Sequence, residues 1–257
     1  MKNFFLKSDI AKNSFTLIVS TILAQLIPLA LHPVLRRIYT PEDFGVFAVY
    51  LNIVGILVIM TSLRYEAAIV LPKNDIESAN ILSLTFILGL IFCGLVFLFL
   101  LFFKNFFCEL INFPLAYSSY LYFLPFSVMV FSFYQGINFW LIRQKAFKAS
   151  AMNKISRRGV EGVTQLTLGL TRLSIGLVLG DFLGNLANFF SGIFQLRKNN
   201  FKIKYLSARK IFFVFFRHKE FPLFNFFPTL LSAAASLLPF IFINKLYSSE
   251  VVGYLDL

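Results

Sequence analysis

Five stretches of this chain are as long as a bilayer is thick and hold no charged side chain: between Lys12 and Arg36, Asp43 and Arg64, Glu77 and Lys104, Glu109 and Arg143, and Glu220 and Lys245. A helix of about 20 mostly apolar residues crosses a hydrocarbon core of about 30 Å. The expected fold is therefore an all-α polytopic membrane protein, with spans near 14–35, 44–63, 79–103, 114–140 and 223–243. Composition agrees: 58% of the 257 residues are hydrophobic and 14% charged, where a soluble domain keeps roughly a quarter charged. Such a chain cannot cover its own surface with polar groups, and its abundant Phe, Leu and Ile exclude disorder, a collagen-like fibre and a disulfide scaffold.

The segment 159–196 is interrupted by Glu161, Arg172 and Asp181, and charge parity decides how often it crosses. Before it stand Arg143, Lys145, Lys148, Lys154, Arg157 and Arg158; after it stand Arg197, Lys198, Lys202, Lys204, Arg209, Lys210, Arg217 and Lys219. Excess Lys and Arg stay on the cytoplasmic side, so an even number of crossings must separate these two groups. Two helices meeting near residues 171–174 are expected, which makes seven spans with the N-terminus in the cytoplasm. Of the 24 basic residues only Arg36, Arg37, Lys104, Arg172 and Lys245 then fall outside. The net charge of +12 reads as an orientation signal with a secondary attraction for anionic lipids, not as a nucleic-acid footprint. The first apolar stretch is too long for a cleaved signal peptide and stays as helix 1. Cys93 and Cys108 form no C-x-x-C or metal-ligand spacing and read as isolated thiols, and no cofactor or metal is expected.

One internal repeat stands out. Tyr39, Thr40, Glu42 and Gly45 recur as Tyr247, Ser248, Glu250 and Gly253, with Arg37 matched by Lys245. The motif is a helix start: Thr40 is placed to cap, Pro41 suits the first turn, and Glu42 and Asp43 lie where the helix dipole favours acids. By the same reading Ser248 or Ser249 caps an eighth helix. Six helices separate the two copies, the even number that a parallel repeat requires; chance similarity between two helix caps is the alternative.

The run from Gln25 to Pro28, the run from Pro33 to Gly45 with Arg36, Arg37, Tyr39 and Pro41, and the run from Arg64 to Pro72 with Tyr65 and Glu66 resemble the N-terminal signature of polysaccharide-biosynthesis membrane proteins. These are O-antigen and capsule-type lipid-linked oligosaccharide flippases of the multidrug/oligosaccharidyl-lipid/polysaccharide exporter superfamily. The connector from Arg143 to Lys148 and the glycine-rich sixth helix resemble them too, so the likeness covers essentially the whole chain. It implies two six-helix lobes around a central cavity, alternating access, and residence in the bacterial inner (cytoplasmic) membrane. On that frame residues 1–196 are the first lobe, 197–220 a basic cytoplasmic linker, and 221–257 helix 7 with the start of helix 8.

Ionisable groups at membrane depth are functional candidates. Arg64 and Glu66 at the inner end of helix 2 either meet the anionic head of a lipid pyrophosphate-linked sugar or form an anchoring ion pair. Arg37, with Arg36, has the same two readings at the outer end of helix 1. Asp181, with Arg172 across the turn, either serves a coupling ion or proton or is a structural pair; Glu161 is expected to pair with Arg157 or Arg158. Gly176, Gly180, Gly184 and Gly192, with Asn188, form a stripe suited to close helix packing. Gln25, Gln135, Asn138 and Gln165 could bond sugar hydroxyls or neighbouring helices. The segment from Lys210 to Arg217 is too short to span and reads as interfacial.

The leading expectation is transport of a lipid-linked saccharide. Its partners are that substrate, membrane lipids and either a separate C-terminal half or polysaccharide polymerase machinery. A drug or cation exporter of the same superfamily and a non-transporting remnant or interaction subunit are the alternatives. No catalytic Ser, Cys or His constellation supports an enzyme.

Overall fold

In a computed structural model, described for residues 2–256 and for the side chains of Phe15 and of residues 18–255, the chain is helical with no strand among the described residues. The helices are α1 (Lys2–Ile38), α2 (Pro41–Thr61), α3 (Asp75–Ile111), α4 (Leu124–Arg143), α5 (Phe147–Leu170), α6 (Gly176–Lys198), α7 (Ala208–Arg217), α8 (Phe227–Leu246) and α9 (Ser249–Asp256). Two 3-10 segments, Tyr65–Val70 and Leu115–Phe123, precede α3 and α4, and a π-helical turn, Phe221–Phe226, leads into α8. Six helical stretches are long and apolar enough to cross a membrane, which makes this a multi-pass membrane protein. The seventh expected crossing, α5, is not among them, because it carries Lys148, Lys154, Arg157, Arg158 and Glu161.

The break between α5 and α6 lies at residues 171–175, where parity places it. Two other boundaries depart from expectation. The third span does not stop at Phe103: only that residue leaves helical geometry (φ −119°), and α3 runs on to Ile111. At 37 residues and 1.5 Å per residue it is about 55 Å long, well beyond the hydrocarbon core. The fourth span begins as a 3-10 segment, with helix proper only from Leu124.

The repeated motif does what its residues suggest. Thr40 accepts a bond from the Asp43 amide (3.2 Å), and its own amide donates to Asp43 Oδ2 (2.9 Å), a reciprocal cap of the kind worth about 1 kcal/mol. The buried Asp43 also accepts from the Tyr117 hydroxyl (3.0 Å), tying the start of α2 to the segment before α4. The second copy of the motif packs directly on the first. A Cβ on Gly45 would strike the Ser249 carbonyl, and a Cβ on Gly253 would strike the Pro41 carbonyl. Positions 41 and 45 correspond to 249 and 253 at the repeat offset, so the two contacts are one contact with partners exchanged. That exchange is what a local two-fold relation between the two copies would give.

The elbow between α8 and α9 is held to the end of α3. The fully buried Asn244 donates to the carbonyls of Ile111 (2.7 Å) and Asn112 (3.0 Å) and accepts from the Ser249 hydroxyl (2.8 Å). It thereby satisfies carbonyl groups that the helix end leaves open. Asn112 is itself in the left-handed conformation (φ 53°) and returns a bond to the Asn244 carbonyl (3.1 Å).

Two apolar clusters form the core. One gathers α2, the end of α3 and the starts of α4 and α6, with Tyr39, Leu124 and Leu177. The other gathers the Tyr65–Val70 segment, the start of α3 and the ends of α4 and α6, around Trp140 and Leu141. Between them along α4 and α6 lie buried Ser132, Tyr134, Asp181, Asn185 and Asn188, a polar layer at membrane depth.

The α2–α9 crossing predicts a sharp contrast between glycines. Gly45→Leu forces backbone against backbone and should lower stability by about 2 kcal/mol or more, read as a loss of thermal stability in detergent. Gly94→Ala on α3, where an added Cβ meets nothing within 4 Å, should be neutral or stabilising by up to about 1 kcal/mol.

Candidate functional site

The polar layer opens on one side into a cleft, and α5 supplies most of its charge. Small residues let α5 and α6 approach closely. A Cβ at Gly176 would stand 2.9 Å from Leu168 Cβ, one at Gly180 would stand 3.0 Å from the Glu161 carbonyl, and one at Gly184 would stand 2.9 Å from the Arg157 carbonyl. Advancing along α6 retreats along α5, so the two form an antiparallel hairpin. Gly162 on α5 faces Leu31 of α1 in the same way, and Tyr39 donates to the Gln165 carbonyl (2.7 Å). Burial is the main cause, with Asp43 second, that pushes the Tyr39 hydroxyl up to about 12, so it stays a donor at physiological pH.

This packing brings the charged half of α5 to the depth of Asp181. Arg157 Nη2 lies 3.0 Å from Asp181 Oδ1, and Asn185 Nδ2 lies 3.0 Å from Asp181 Oδ2. The guanidinium also sits 5.2 Å from the Phe131 ring centre. The next residue, Arg158, meets Glu161 through one nitrogen, Nη1, which lies 3.0 and 2.8 Å from the two carboxylate oxygens, a charge-assisted contact. Lys154 donates to Thr21 on α1 (3.0 Å). Deeper in the bundle Asn153 exchanges bonds with Gln195 (2.7 and 2.8 Å), and Ser150 donates to Asn138 (2.6 Å). In this part of the bundle four buried atoms are left over among the described residues: Arg157 Nε, Asn185 Oδ1, Asn188 Oδ1 and the Tyr134 hydroxyl. The Tyr134 hydroxyl stands among Asn153, Asn188 and Ser150 without a well-formed bond to any. Buried polar groups without partners are costly, and three of these residues, Tyr134, Arg157 and Asn188, border a cleft of about 270 Å³ lined also by Gln25, Gln135, Asn138, Lys154 and Arg158 among others.

The cleft is the first of three adjoining hollows along α1. Arg158 also lines the next, of about 190 Å³, with His32, Glu161 and Gln165. His32 and Pro28 in turn line an open recess that carries Arg36 and Arg37. From Thr21 to Arg37 the series follows α1 for about 24 Å at 1.5 Å per residue, most of the thickness of a hydrocarbon core.

Of the residues singled out from sequence, Arg37, Gln25, Gln135, Asn138 and Gln165 line this series, and Asp181 lies buried behind it, reaching it only through its ion pair with Arg157. Arg172 does not join Asp181: it is exposed in the left-handed conformation (φ 61°) at the α5–α6 turn, while Asp181 lies level with the turn of α5 that holds Arg157. Glu161 pairs with Arg158 at i+3 spacing. Arg64 and Glu66 lie apart from the cleft. They form an ion pair of 3.0 Å in the left-handed knuckle after α2, where buried Glu66 also accepts from Ser62. Lys154, Arg157 and Arg158 read in the sequence as cytoplasmic orientation charges. Their i, i+3, i+4 spacing, continued by Glu161, is the pattern of a helix face and could have placed them. Among the described residues no group of His, Cys, Asp and Glu could hold a metal ion.

The Arg157–Asp181 pair gives a cycle to measure. Arg157→Met leaves an uncompensated buried carboxylate and should destabilise by about 3–5 kcal/mol, whereas the double variant Arg157→Met with Asp181→Leu should recover most of that loss. Strictly additive losses in thermal unfolding would deny the pair its place in the fold.

The chain matches no curated protein and no solved structure. It does match the family model described as polysaccharide biosynthesis protein over residues 10–257, nearly its full length. With the multi-pass helical fold, that match makes the chain a member of the polysaccharide biosynthesis protein family.

Proposed function

We propose that this chain is the first-lobe part of a flippase, carrying a saccharide linked to a lipid pyrophosphate across the bacterial cytoplasmic membrane by alternating access. The carrying observation is the row of hollows along α1, in which Lys154, Arg157, Arg158, Arg36 and Arg37 alternate with amides and the His32 ring. A saccharide presents hydroxyls, which amide side chains can both donate to and accept from. A pyrophosphate presents anionic oxygens, which guanidinium binds with geometric specificity. The lipid tail needs no path inside the protein, and a row of open hollows on the flank of α1 leaves it in the bilayer.

The two-fold contact of α2 with α9 supports the same reading. Rocking of one repeat against another needs a contact at which the two meet symmetrically, and Gly45 with Gly253 supplies close backbone contact there. In the orientation that the excess of Lys and Arg favours, the N-terminus and α7 would lie in the cytoplasm and this contact toward the outer face. A drug or cation exporter would favour unpaired acids in its cavity, whereas Asp181 is held by Arg157 and Glu161 by Arg158. The role proposed is transport, not catalysis.

Binding tests the proposal. In nanodiscs, a polyprenyl-pyrophosphate-linked oligosaccharide should raise the unfolding temperature of the wild-type chain. Arg158→Gln should weaken the apparent affinity by tenfold or more, the size of one charge-assisted contact of about 1.5–3 kcal/mol. Arg197→Gln, at the exposed end of α6, should leave it unchanged. Equal affinity in all three proteins would remove the cleft from the substrate path.

A further inference from the structure

α7 carries two apolar faces, and only one of them is used. Ile211, Val214, Phe215 and His218, at i, i+3, i+4 and i+7, turn inward, with Val214 fully buried. That face is fastened at several points. Tyr65 donates to the Phe215 carbonyl (2.8 Å) and stacks on its ring at 5.8 Å. Glu77 at the start of α3 meets both His218 (3.0 Å) and Arg217 (3.3 Å). Asn80 receives the Ser207 amide (3.1 Å) and donates to the Tyr205 carbonyl (2.9 Å). The helix is therefore fixed in orientation, and its opposite face is fixed with it.

That opposite face has the same spacing: Arg209, Phe212, Phe213 and Phe216. The three rings are 68, 56 and 54% exposed, too much apolar surface to face water on a helix of 10 residues. They are pre-arranged, with Phe212 and Phe216 edge to face at 4.9 Å and Arg217 over Phe213 at 5.6 Å. Around them stand exposed Lys202, Lys204, Arg209, Lys210 and Lys219, and the nearest carboxylate of α3, Glu77, is already taken by His218 and Arg217. A rigid face of three aromatic rings framed by unneutralised cations is complementary to one kind of surface, the headgroup layer of a membrane that carries acidic lipids.

We propose that the outer face of α7 is a docking surface for acidic phospholipids, with Phe212, Phe213 and Phe216 seated among the acyl chains and Arg209 and Lys210 drawing the negatively charged headgroups. Each cation near a membrane surface adds about a fivefold preference for acidic lipid. Because α7 is bound to the Tyr65–Val70 knuckle and to α3, this docking also fixes the level at which the Arg64–Glu66 pair meets the membrane.

The test is lipid-selective quenching. Phe216→Trp places a reporter on the face, and the native Trp140 is fully buried and serves as the unquenched background. In nanodiscs of phosphatidylcholine and phosphatidylglycerol at equal fractions, bromine is carried by one lipid or by the other. Brominated phosphatidylglycerol should quench the reporter at least about twofold more than brominated phosphatidylcholine, and Arg209→Gln with Lys210→Gln should equalise the two without abolishing quenching. Equal quenching by both lipids in the protein with its cations intact overturns the acidic-lipid docking. Absence of quenching by either overturns the membrane contact and assigns the face to a protein partner.

Discussion

The ion pair between Arg157 and Asp181 is the constraint around which the helix bundle is organised. A carboxylate that is 2% exposed between apolar clusters must be partnered, since an isolated charge at membrane depth costs several kcal/mol. α5 supplies the charged partner at that level, and its backbone comes within touching distance of α6 to do so. The glycines at 176, 180 and 184 allow this approach, and the charged half of α5 follows into the bundle. The arrangement explains why α5 is not apolar enough to be recognised as a span. It also explains why cations that looked like an orientation signal line a cleft instead.

The second organising contact lies where the two copies of the repeated motif meet. Gly45 and Gly253 each stand where a side chain would collide with the other's helix. The bonds of Asn244 to the end of α3 hold α8 and α9 in register with that crossing. Lys245, one residue on, donates to the Leu110 carbonyl (2.5 Å), so the end of α8 covers the open carbonyls of α3 with two successive side chains. The repeat is thus a structural relation between helices, beyond a likeness of caps.

Much of this was legible in the sequence, and the rest was hidden for physical reasons. Uncharged runs and the balance of Lys and Arg placed the helices and the turn at 171–175, because solvation by lipid leaves no freedom there. The cap at Thr40 was legible because helix starts use few residue types. Pairing across the hairpin was not: Arg172 is nearer to Asp181 in sequence, but antiparallel packing sets the turn of Arg157 beside it. The Arg64–Glu66 pair was visible as a pair, while its distance from the cleft depends on the left-handed bend at Leu63 and Arg64, for which the sequence carries no glycine to mark it. The 3-10 start of the fourth span was likewise invisible, since apolar runs look the same in either helix type.

On the function proposed above, the polar hollows along α1 form an aqueous binding cleft and not a sealed packing layer. Cysteine accessibility measures this directly, because Cys93 and Cys108 are both buried. Gln25 lines the cleft, while Leu23, 47% exposed, lies about 200° away around the helix. A membrane-impermeant maleimide should label Gln25→Cys in intact nanodiscs, with labelling slowed by a pyrophosphate-linked saccharide, and should leave Leu23→Cys unmodified in the lipid. Equal resistance of both positions to the reagent, or labelling of Gln25→Cys that the saccharide does not slow, would rule out an aqueous substrate cleft along α1.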